Sequence, residues 1–276
     1  MPEPQAPSRS FVVTAIERAR RHPVVAVVTS LVGLALFLTT VGDLYGRIAG
    51  AVHEWRNPYE EDYKQLAELD LGVTPDYLQQ WLGEARRTVD VCREIPCPAE
   101  VESQDLTMNI YESDLVAVRA VFVDSAMDWY AVTLLSDELE PPMTWLGHDL
   151  GTLGRATYAD ALEVPGVEPT DVDMFLGPQS SAYVEIVAAG APADYRGLLL
   201  ASAPTGWSGA GSFDRESADA VMHLNEAPYD ADLAEPFRSE SSPNTFGEFL
   251  DDGGVVSVLA RDAEFHRVLL YLFTSA

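Results

Sequence analysis

The longest hydrophobic segment of the chain lies near its start and predicts a membrane anchor. Residues 24–41 (VVAVVTSLVGLALFLTTV) include no charged side chain. A helix of this length spans roughly 27 Å, about the thickness of the hydrocarbon core of a bilayer. We therefore expect a transmembrane helix within residues 23–50, contacting the lipid bilayer through residues 24–41. A basic N-terminal segment, residues 1–22, precedes it.

Two other interpretations of this segment stay open. A buried core helix normally carries a polar stripe, which residues 24–41 lack. A cleaved signal peptide would have a suitable cleavage site at Ala49-Gly50-Ala51. However, the apolar run is long for a signal peptide, and the region before Pro23 is 22 residues long. Both features favour an anchor that is not cleaved.

Arginines flank the apolar run unevenly and predict its orientation. Four precede the run and two closely follow it: Arg9, Arg18, Arg20 and Arg21 before, Arg47 and Arg56 after. Positively charged residues favour the cytoplasmic side of a membrane. We expect a single-pass protein of the cell membrane with a cytoplasmic N-terminus and its globular region outside the cytoplasm.

Helical and strand patterns alternate beyond the anchor. Apolar residues recur at a helical spacing in residues 61–69. Thr74-Pro75-Asp76 is typical of a helix start, and Gly83 ends the helix that it opens, Pro75–Leu82. Three segments rich in β-branched and aromatic residues follow, at 107–112, 114–124 and 128–135. Residues 57–140 thus predict two helices packed against an antiparallel meander.

Residues 141–276 predict a second unit of the same class. Its expected elements are a helix at 157–162, strands at 182–188, 195–203, 254–260 and 268–273, and loops at 205–217 and 226–247. LGVTPDYLQQWL at Leu71 is echoed by LGRATYADALEV at Leu153, 82 residues later. The chain therefore predicts an α+β fold dominated by antiparallel sheet. Two tandem helix-plus-meander units, packed as one globular region, would explain the echo, and chance is the alternative.

The distribution of charge excludes nucleic acid as a partner. The chain has 44 acidic and 17 basic residues, of which four acidic and six basic residues lie in residues 1–56. Residues 57–276 therefore hold 40 acidic and 11 basic residues, a net charge of −29. A surface this negative repels phosphate backbones and anionic lipid.

Cys92 and Cys97 are the two cysteines of the chain. With no further cysteine and no nearby histidine, they cannot complete a zinc site. Outside the cytoplasm a small disulfide loop is the expected state. In the cytoplasm they would instead be reduced, buried thiols.

The search for catalytic motifs yields one near match. Gly206-Trp207-Ser208-Gly209-Ala210 approaches a nucleophile elbow, but its fifth position is alanine. A phosphate-binding loop requires a lysine after its glycine-rich segment, and no lysine follows here. We expect a flexible loop here and no cofactor.

Histidines and acidic clusters give no clear metal site. In the exported region His148, His223 and His266 lie too far apart in sequence for ligand spacing. A triad that combines His148 or His223 with a distant serine and aspartate stays open. Acidic clusters occur at 171–173, 230–232 and 251–253, without the spacing of an EF-hand. We expect them to be solvated loops that bind no metal.

A set of short motifs extends from the anchor nearly to the C-terminus. They are Asn57-Pro58-Tyr59-Glu60, Tyr63, Leu66, Leu69, Gly72, Leu82-Gly83, Leu153-Gly154, Thr157-Tyr158, Tyr183, Glu185, Gly190, Tyr195 and Pro243-Asn244-Thr245. In these motifs the chain resembles an uncharacterised family of single-pass membrane-anchored bacterial proteins, named after an enterobacterial locus. The resemblance implies no activity, because that family has none established.

The helix that ends in Leu82-Gly83, followed by strands, is also similar to β-lactamase-inhibitor-like modules and to a small outer-membrane assembly lipoprotein. That similarity implies binding rather than catalysis, at the level of the fold. We expect a membrane-tethered interaction module that binds a protein or envelope component through loops or a sheet face. The alternative is a membrane-anchored hydrolase or other enzyme with an unrecognised site.

Overall fold

The structure, a computed structural model, describes residues 59–102, 104–164, 167–176, 181–191, 194–203, 231–259 and 265–266. Residues 62–276 form one compact unit and residues 1–61 form another. Within the described ranges, no helix is long and apolar enough to cross a bilayer. The expected anchor, residues 23–50, lies outside those ranges and stays a prediction.

The first half of the globular region contains the two expected helices and the expected three-stranded meander, with a strand and two short helices between them that were not predicted. It contains α1 (Glu60–Ala67), α2 (Pro75–Leu82), β1 (Arg87–Asp90), α3 (Val91–Glu94), α4 (Ala99–Glu102), β2 (Leu106–Glu112), β3 (Val116–Val123) and β4 (Ala126–Leu134). Helix α2 has its predicted bounds because both caps form. The Thr74 side chain accepts a hydrogen bond from the backbone N–H of Tyr77, and Gly83 ends the helix with a φ of 79°.

The second half is richer in strands than its sequence indicates. It contains β5 (Pro142–Trp145), β6 (His148–Thr152), α5 (Tyr158–Ala161), β7 (Asp171–Leu176), β8 (Ser181–Ala191), β9 (Asp194–Ser202), α6 (Ala231–Glu240), β10 (Thr245–Leu250) and α7 (Val255–Leu259). Helix α5 confirms the short helix expected after Thr157. A capping box forms there, in which the Thr157 side chain accepts from the N–H of Asp160 and the Asp160 carboxylate accepts from the N–H of Thr157.

The described strands form an eight-stranded antiparallel sheet and a separate β5–β6 hairpin. The order in the large sheet is β1-β2-β3-β4-β10-β9-β8-β7. The α+β class with a dominant antiparallel sheet is therefore confirmed. Strands of the first half occupy one side of the β4–β10 pair, and strands of the second half occupy the other.

The strand predicted at 254–260 is wrong, because the described part of this segment is the helix α7. Strand β10 already pairs with β4 on one edge and β9 on the other, so it offers no free edge to the segment that follows. Gly253, with a φ of 81°, turns the chain out of the sheet. Val256 and Leu259, three residues apart, then pack into the core.

The loop predicted at 226–247 is also wrong in its described part, which contains α6 and the start of β10. Pro236 inside α6 and Gly247 inside β10 both suggest breaks in regular structure. Gly247 instead fits a crowded strand position, since a Cβ atom there would lie 2.4 Å from the Tyr130 carbonyl oxygen. The predicted strand at 268–273 and loop at 205–217 lie outside the described residues.

The two faces of the large sheet have different roles. One face, termed the core face, carries Trp129, Phe249 and Leu199 in the main hydrophobic core, together with Val256 of α7. Cys92 and Cys97 form a disulfide beside this core. The opposite face, termed the cavity face, carries residues that alternate with these along each strand, including Tyr130 and Glu248.

Candidate functional site: a cavity over the centre of the sheet

A cavity of about 220 Å³ lies on the cavity face, above the central strand pair β4–β10. Tyr130, Val132, Phe246 and Glu248 of that pair contribute to its lining. Helix α1 and strand β5 supply the other walls. Most of the lining side chains are apolar or aromatic, which is typical of small-molecule sites.

Helix α1 forms its wall without burying any residue completely. Tyr63, Leu66 and Ala67 of α1 line the cavity. The hydroxyl oxygen of Tyr63 accepts a hydrogen bond from the backbone N–H of Glu140, at 3.2 Å, just before β5. The helix therefore meets the site through partly exposed side chains, so its wall is less firmly packed than the sheet floor.

The β5 wall is set by a tight hairpin. Leu146 and Gly147 connect β5 to β6 with φ values of 49° and 78°, the positive values of a type I′ turn. Along β5, Met143 and Trp145 are buried while Thr144 is exposed. The hairpin thereby presents an apolar surface to the protein, and Met143 and Thr144 both contribute to the cavity lining.

One end of the cavity is polar, because Tyr130 and Glu248 of its lining meet there; Asp70 and Arg196, which are hydrogen-bonded into the same group, are not part of the lining. The Tyr130 hydroxyl donates to Glu248 Oε1 at 3.0 Å. Arg196 Nη1 donates to Glu248 Oε2 at 3.3 Å and to Asp70 Oδ1 at 3.1 Å. We term Asp70, Tyr130, Arg196 and Glu248 the polar network.

Strand register explains why the polar network forms. Tyr130 on β4 is paired with Glu248 on β10, and Glu248 is paired with Leu198 on β9. Arg196, two residues before Leu198, points to the same face of the sheet. Its long side chain can therefore reach both Glu248 and Asp70, which lies between α1 and α2.

Burial changes the acidity of the polar network. Desolvation raises the pKa of Glu248 above its usual range, although Tyr130 and Arg196 favour its ionised form. Desolvation, followed by the nearby charge of Glu248, raises the pKa of Tyr130 well above its usual value. Tyr130 therefore donates its proton in the hydrogen bond to Glu248, and the ion pair with Arg196 holds the Glu248 side chain in a poorly solvated place.

A second polar cluster lies on the same face, under α5 and α6. Glu185 Oε1 accepts from the Tyr183 hydroxyl at 2.7 Å and from Arg238 Nε at 2.8 Å. The Tyr158 and Ser202 hydroxyls are hydrogen-bonded at 2.8 Å. Burial raises the pKa of Glu185, whose side chain is fully enclosed. These contacts hold α5 and α6 to the sheet, and their lack of solvent access indicates a structural role.

The third polar pair is on the core face. His266 Nδ1 lies 2.6 Å from Asp173 Oδ2 on the edge strand β7. His266 is buried and Asp173 is partly exposed. This is the arrangement by which an aspartate orients the histidine of a catalytic triad. The sheet separates the pair from the cavity, so the two sites are distinct.

The residues singled out from sequence are dispersed rather than gathered at the cavity. Asp171 and Asp173 belong to strand β7, so the expectation that this cluster is a solvated loop is wrong. His148 is exposed on β6. Residues 206–210, 230 and His223 lie outside the described ranges. Across the part of the chain that is described, no group of three or more histidine, cysteine or acidic residues is arranged to hold a metal ion.

No protein family, curated protein or solved structure matches the chain. The resemblance to the family of membrane-anchored bacterial proteins therefore stays a prediction.

Proposed function

We propose that this protein is a membrane-tethered binding module and that the cavity is its binding site. The observation that carries the proposal is a largely apolar cavity with one polar end, whose floor is fixed by the large sheet and whose other walls are α1 and β5. In the described strands β2, β3, β4 and β10, side chains are buried on both faces over most of their length. The cavity therefore fits a binding role better than an open sheet face does.

The test is native mass spectrometry of the full chain, isolated from its own membrane in lipid nanodiscs. Ala67 is exposed at the α1 wall, so Ala67→Trp should fill the cavity without disturbing the core. Gln80→Trp, on an exposed position of α2, is the matched control. We expect a bound small molecule on the parent protein and on Gln80→Trp, but not on Ala67→Trp. A protein without adduct, or an adduct insensitive to Ala67→Trp, would contradict the proposal.

We further propose that the chain crosses the membrane once, with residues 57–276 outside the cytoplasm. The uncharged run and the bias of arginines support this orientation. Protease added to intact spheroplasts should digest the globular region and spare the N-terminus. Digestion only after lysis would reverse the orientation.

The two halves of the globular region are, we propose, tandem helix-plus-meander units. The symmetric strand order supports this, as do equivalent hydrogen bonds at the two Leu-Gly motifs. The N–H of Gly72 donates to the Met127 carbonyl at 2.7 Å, and the N–H of Gly154 donates to the Pro243 carbonyl at 2.9 Å. Each bond ties the start of a proposed unit to the last of its described strands or to the residues just before it, and the cavity lies above β4 and β10, which adjoin in the sheet.

A membrane-anchored hydrolase is the second candidate, and the Asp173–His266 pair favours it. A fluorophosphonate probe, which labels activated serines, is the direct test. Labelling that disappears in His266→Gln but survives in His148→Gln, an exposed control on β6, would support this candidate. Absence of labelling in the parent protein would exclude a serine hydrolase.

A further inference from the structure

We infer that the cavity binds a small apolar molecule that carries one ammonium group, with the ammonium directed at Glu248. This inference rests on the proposed binding function and adds the class of ligand. It depends on three properties of the cavity: the hydrogen-bonding groups at its polar end, the charge of the polar network, and the volume.

The polar end offers acceptors to a ligand. The Tyr130 hydroxyl donates its proton to Glu248, so towards a ligand its oxygen can only accept. Each Glu248 carboxylate oxygen accepts one hydrogen bond within the polar network and has a further acceptor position. A ligand group that meets this end therefore has to donate, which favours an ammonium, an amide N–H or a hydroxyl over a carboxylate.

Charge then selects the ammonium among these donors. Asp70 and Glu248 carry two negative charges and Arg196 carries one positive charge, so the polar network has a net charge of −1. Residues 57–276, with a net charge of −29, add a field that attracts cations and repels anions. The rings of Tyr63, Tyr130 and Phe246 line the same cavity, and aromatic faces also attract ammonium groups.

The volume limits the size of the apolar part. A dry cavity of about 150 Å³ holds one benzene molecule. The 220 Å³ present here is larger by roughly two water volumes, enough for a short chain and an amine. The ligand is thus an arylalkyl or alkyl ammonium of about the size of 2-phenylethylamine.

The test is isothermal titration of the full chain in nanodiscs of zwitterionic lipid. The probes are 2-phenylethylamine, the neutral 2-phenylethanol, and the anionic 3-phenylpropionate. We expect the amine to bind on the order of tenfold tighter than the alcohol, because the ammonium adds a charge–charge attraction to Glu248 that the neutral hydroxyl lacks. The carboxylate should show no measurable binding.

Two substitutions locate the effect. Glu248→Gln keeps the shape of the side chain and removes its charge, so it should lower the affinity for the amine to about the affinity for the alcohol. Glu84→Gln removes one negative charge from an exposed loop and should leave the preference unchanged. If both variants lose amine binding equally, the preference for the amine over the alcohol comes from the overall charge, and the assignment of the ammonium contact to Glu248 is overturned.

The two proposals fail in different ways. Equal binding of amine and alcohol, or tighter binding of the carboxylate, would overturn the ligand class and leave the cavity as a binding site. Amine binding that persists in Ala67→Trp would place the amine elsewhere. If Glu248→Gln does not fold, the contrast among the three probes on the parent protein, together with Ala67→Trp and Gln80→Trp, still decides the class.

Discussion

The polar network can be tested for a structural role by replacing its buried pair with apolar residues. Tyr130 and Glu248 are both largely buried and joined by one hydrogen bond. Glu248→Val alone leaves the Tyr130 hydroxyl without this partner, which should cost about 1–3 kcal/mol. Tyr130→Phe alone removes a hydrogen bond to a charged group and should cost about 1.5–3 kcal/mol.

The double variant should behave differently from the sum of these costs. Tyr130→Phe with Glu248→Val removes both polar groups, replaces each with an apolar residue of similar size, and leaves Arg196 paired with Asp70. Exchanges of this kind are often neutral or stabilising. We expect a free energy of unfolding within about 1 kcal/mol of the parent, and therefore a coupling of at least about 1.5 kcal/mol.

Guanidinium unfolding of residues 57–276 measures all four members of this cycle, because residues 62–276 form one compact unit. Amine titration of the same variants provides the functional readout. A double variant as unstable as the sum of the single variants would show that the polar network stabilises the fold. A stable double variant that no longer prefers the amine would show that the network serves binding.

Four further outcomes are expected. Burial raises the pKa values of Glu185 and Glu248, so the folded protein binds more protons than the unfolded chain. The stability that this proton binding adds is fully present below the usual carboxyl pKa range and is lost as the pH rises through the raised pKa values. The melting temperature should therefore rise as the pH is lowered from 7 toward 5. Molar sodium chloride should also raise the melting temperature, because it shortens the range of repulsion between carboxylates to about 3 Å. Calcium at matched ionic strength should add little, and a shift of the melting temperature at micromolar calcium would refute this expectation. Alkylation and intact-mass measurement should find no free thiol before reduction, and the Cys92–Cys97 loop should contribute on the order of 2 kcal/mol or less. Gly197→Ala would place a Cβ atom 1.9 Å from Phe249 Cζ and should cost at least about 1–3 kcal/mol in chemical denaturation, whereas Gly253→Ala has open space and costs only its backbone strain.

Elements with local signals could be predicted from the sequence. Thr74 and Pro75 mark the start of α2 and Gly83 marks its end, and the structure reproduces both bounds. The three strands β2 to β4 are dense in β-branched and aromatic residues and are joined by short turns, so their order follows from proximity. Nothing distant in sequence has to be known for either prediction.

Elements whose conformation depends on distant partners could not be predicted. Strand β10 (TFGEFL) is extended because β4 and β9 lie on its two sides, although Gly247 disfavours a strand locally. Residues 255–259 are rich in valine, yet they form a helix, because β10, the strand just before them, is already paired on both sides. In both cases tertiary packing overrides local propensity.

The candidate site was beyond sequence reasoning for the same reason. Asp70, Tyr130, Arg196 and Glu248 come from four separate segments; strand register brings the last three together, and Asp70 reaches Arg196 from the loop between α1 and α2. One signal was present, because Glu248 and Arg196 are charged residues inside otherwise apolar strands. Because residues 226–247 were interpreted as a loop, the position of Glu248 in a paired strand was missed. Asp173 and His266 are likewise brought together only by the fold.

Glu248 also marks a departure from the proposed symmetry of the two units. Ala131 of β4 and Gly247 of β10 are paired in the sheet. Ala131 lies four residues after Met127 and Gly247 lies four residues after Pro243, the two residues whose carbonyls accept from the Leu-Gly motifs. A two-fold axis through that pair relates Val132 to Glu248. Tandem units of common design would place two apolar residues there. A carboxylate buried where its counterpart is valine opposes folding through its desolvation, which is the pattern expected of a residue that serves the proposed binding site.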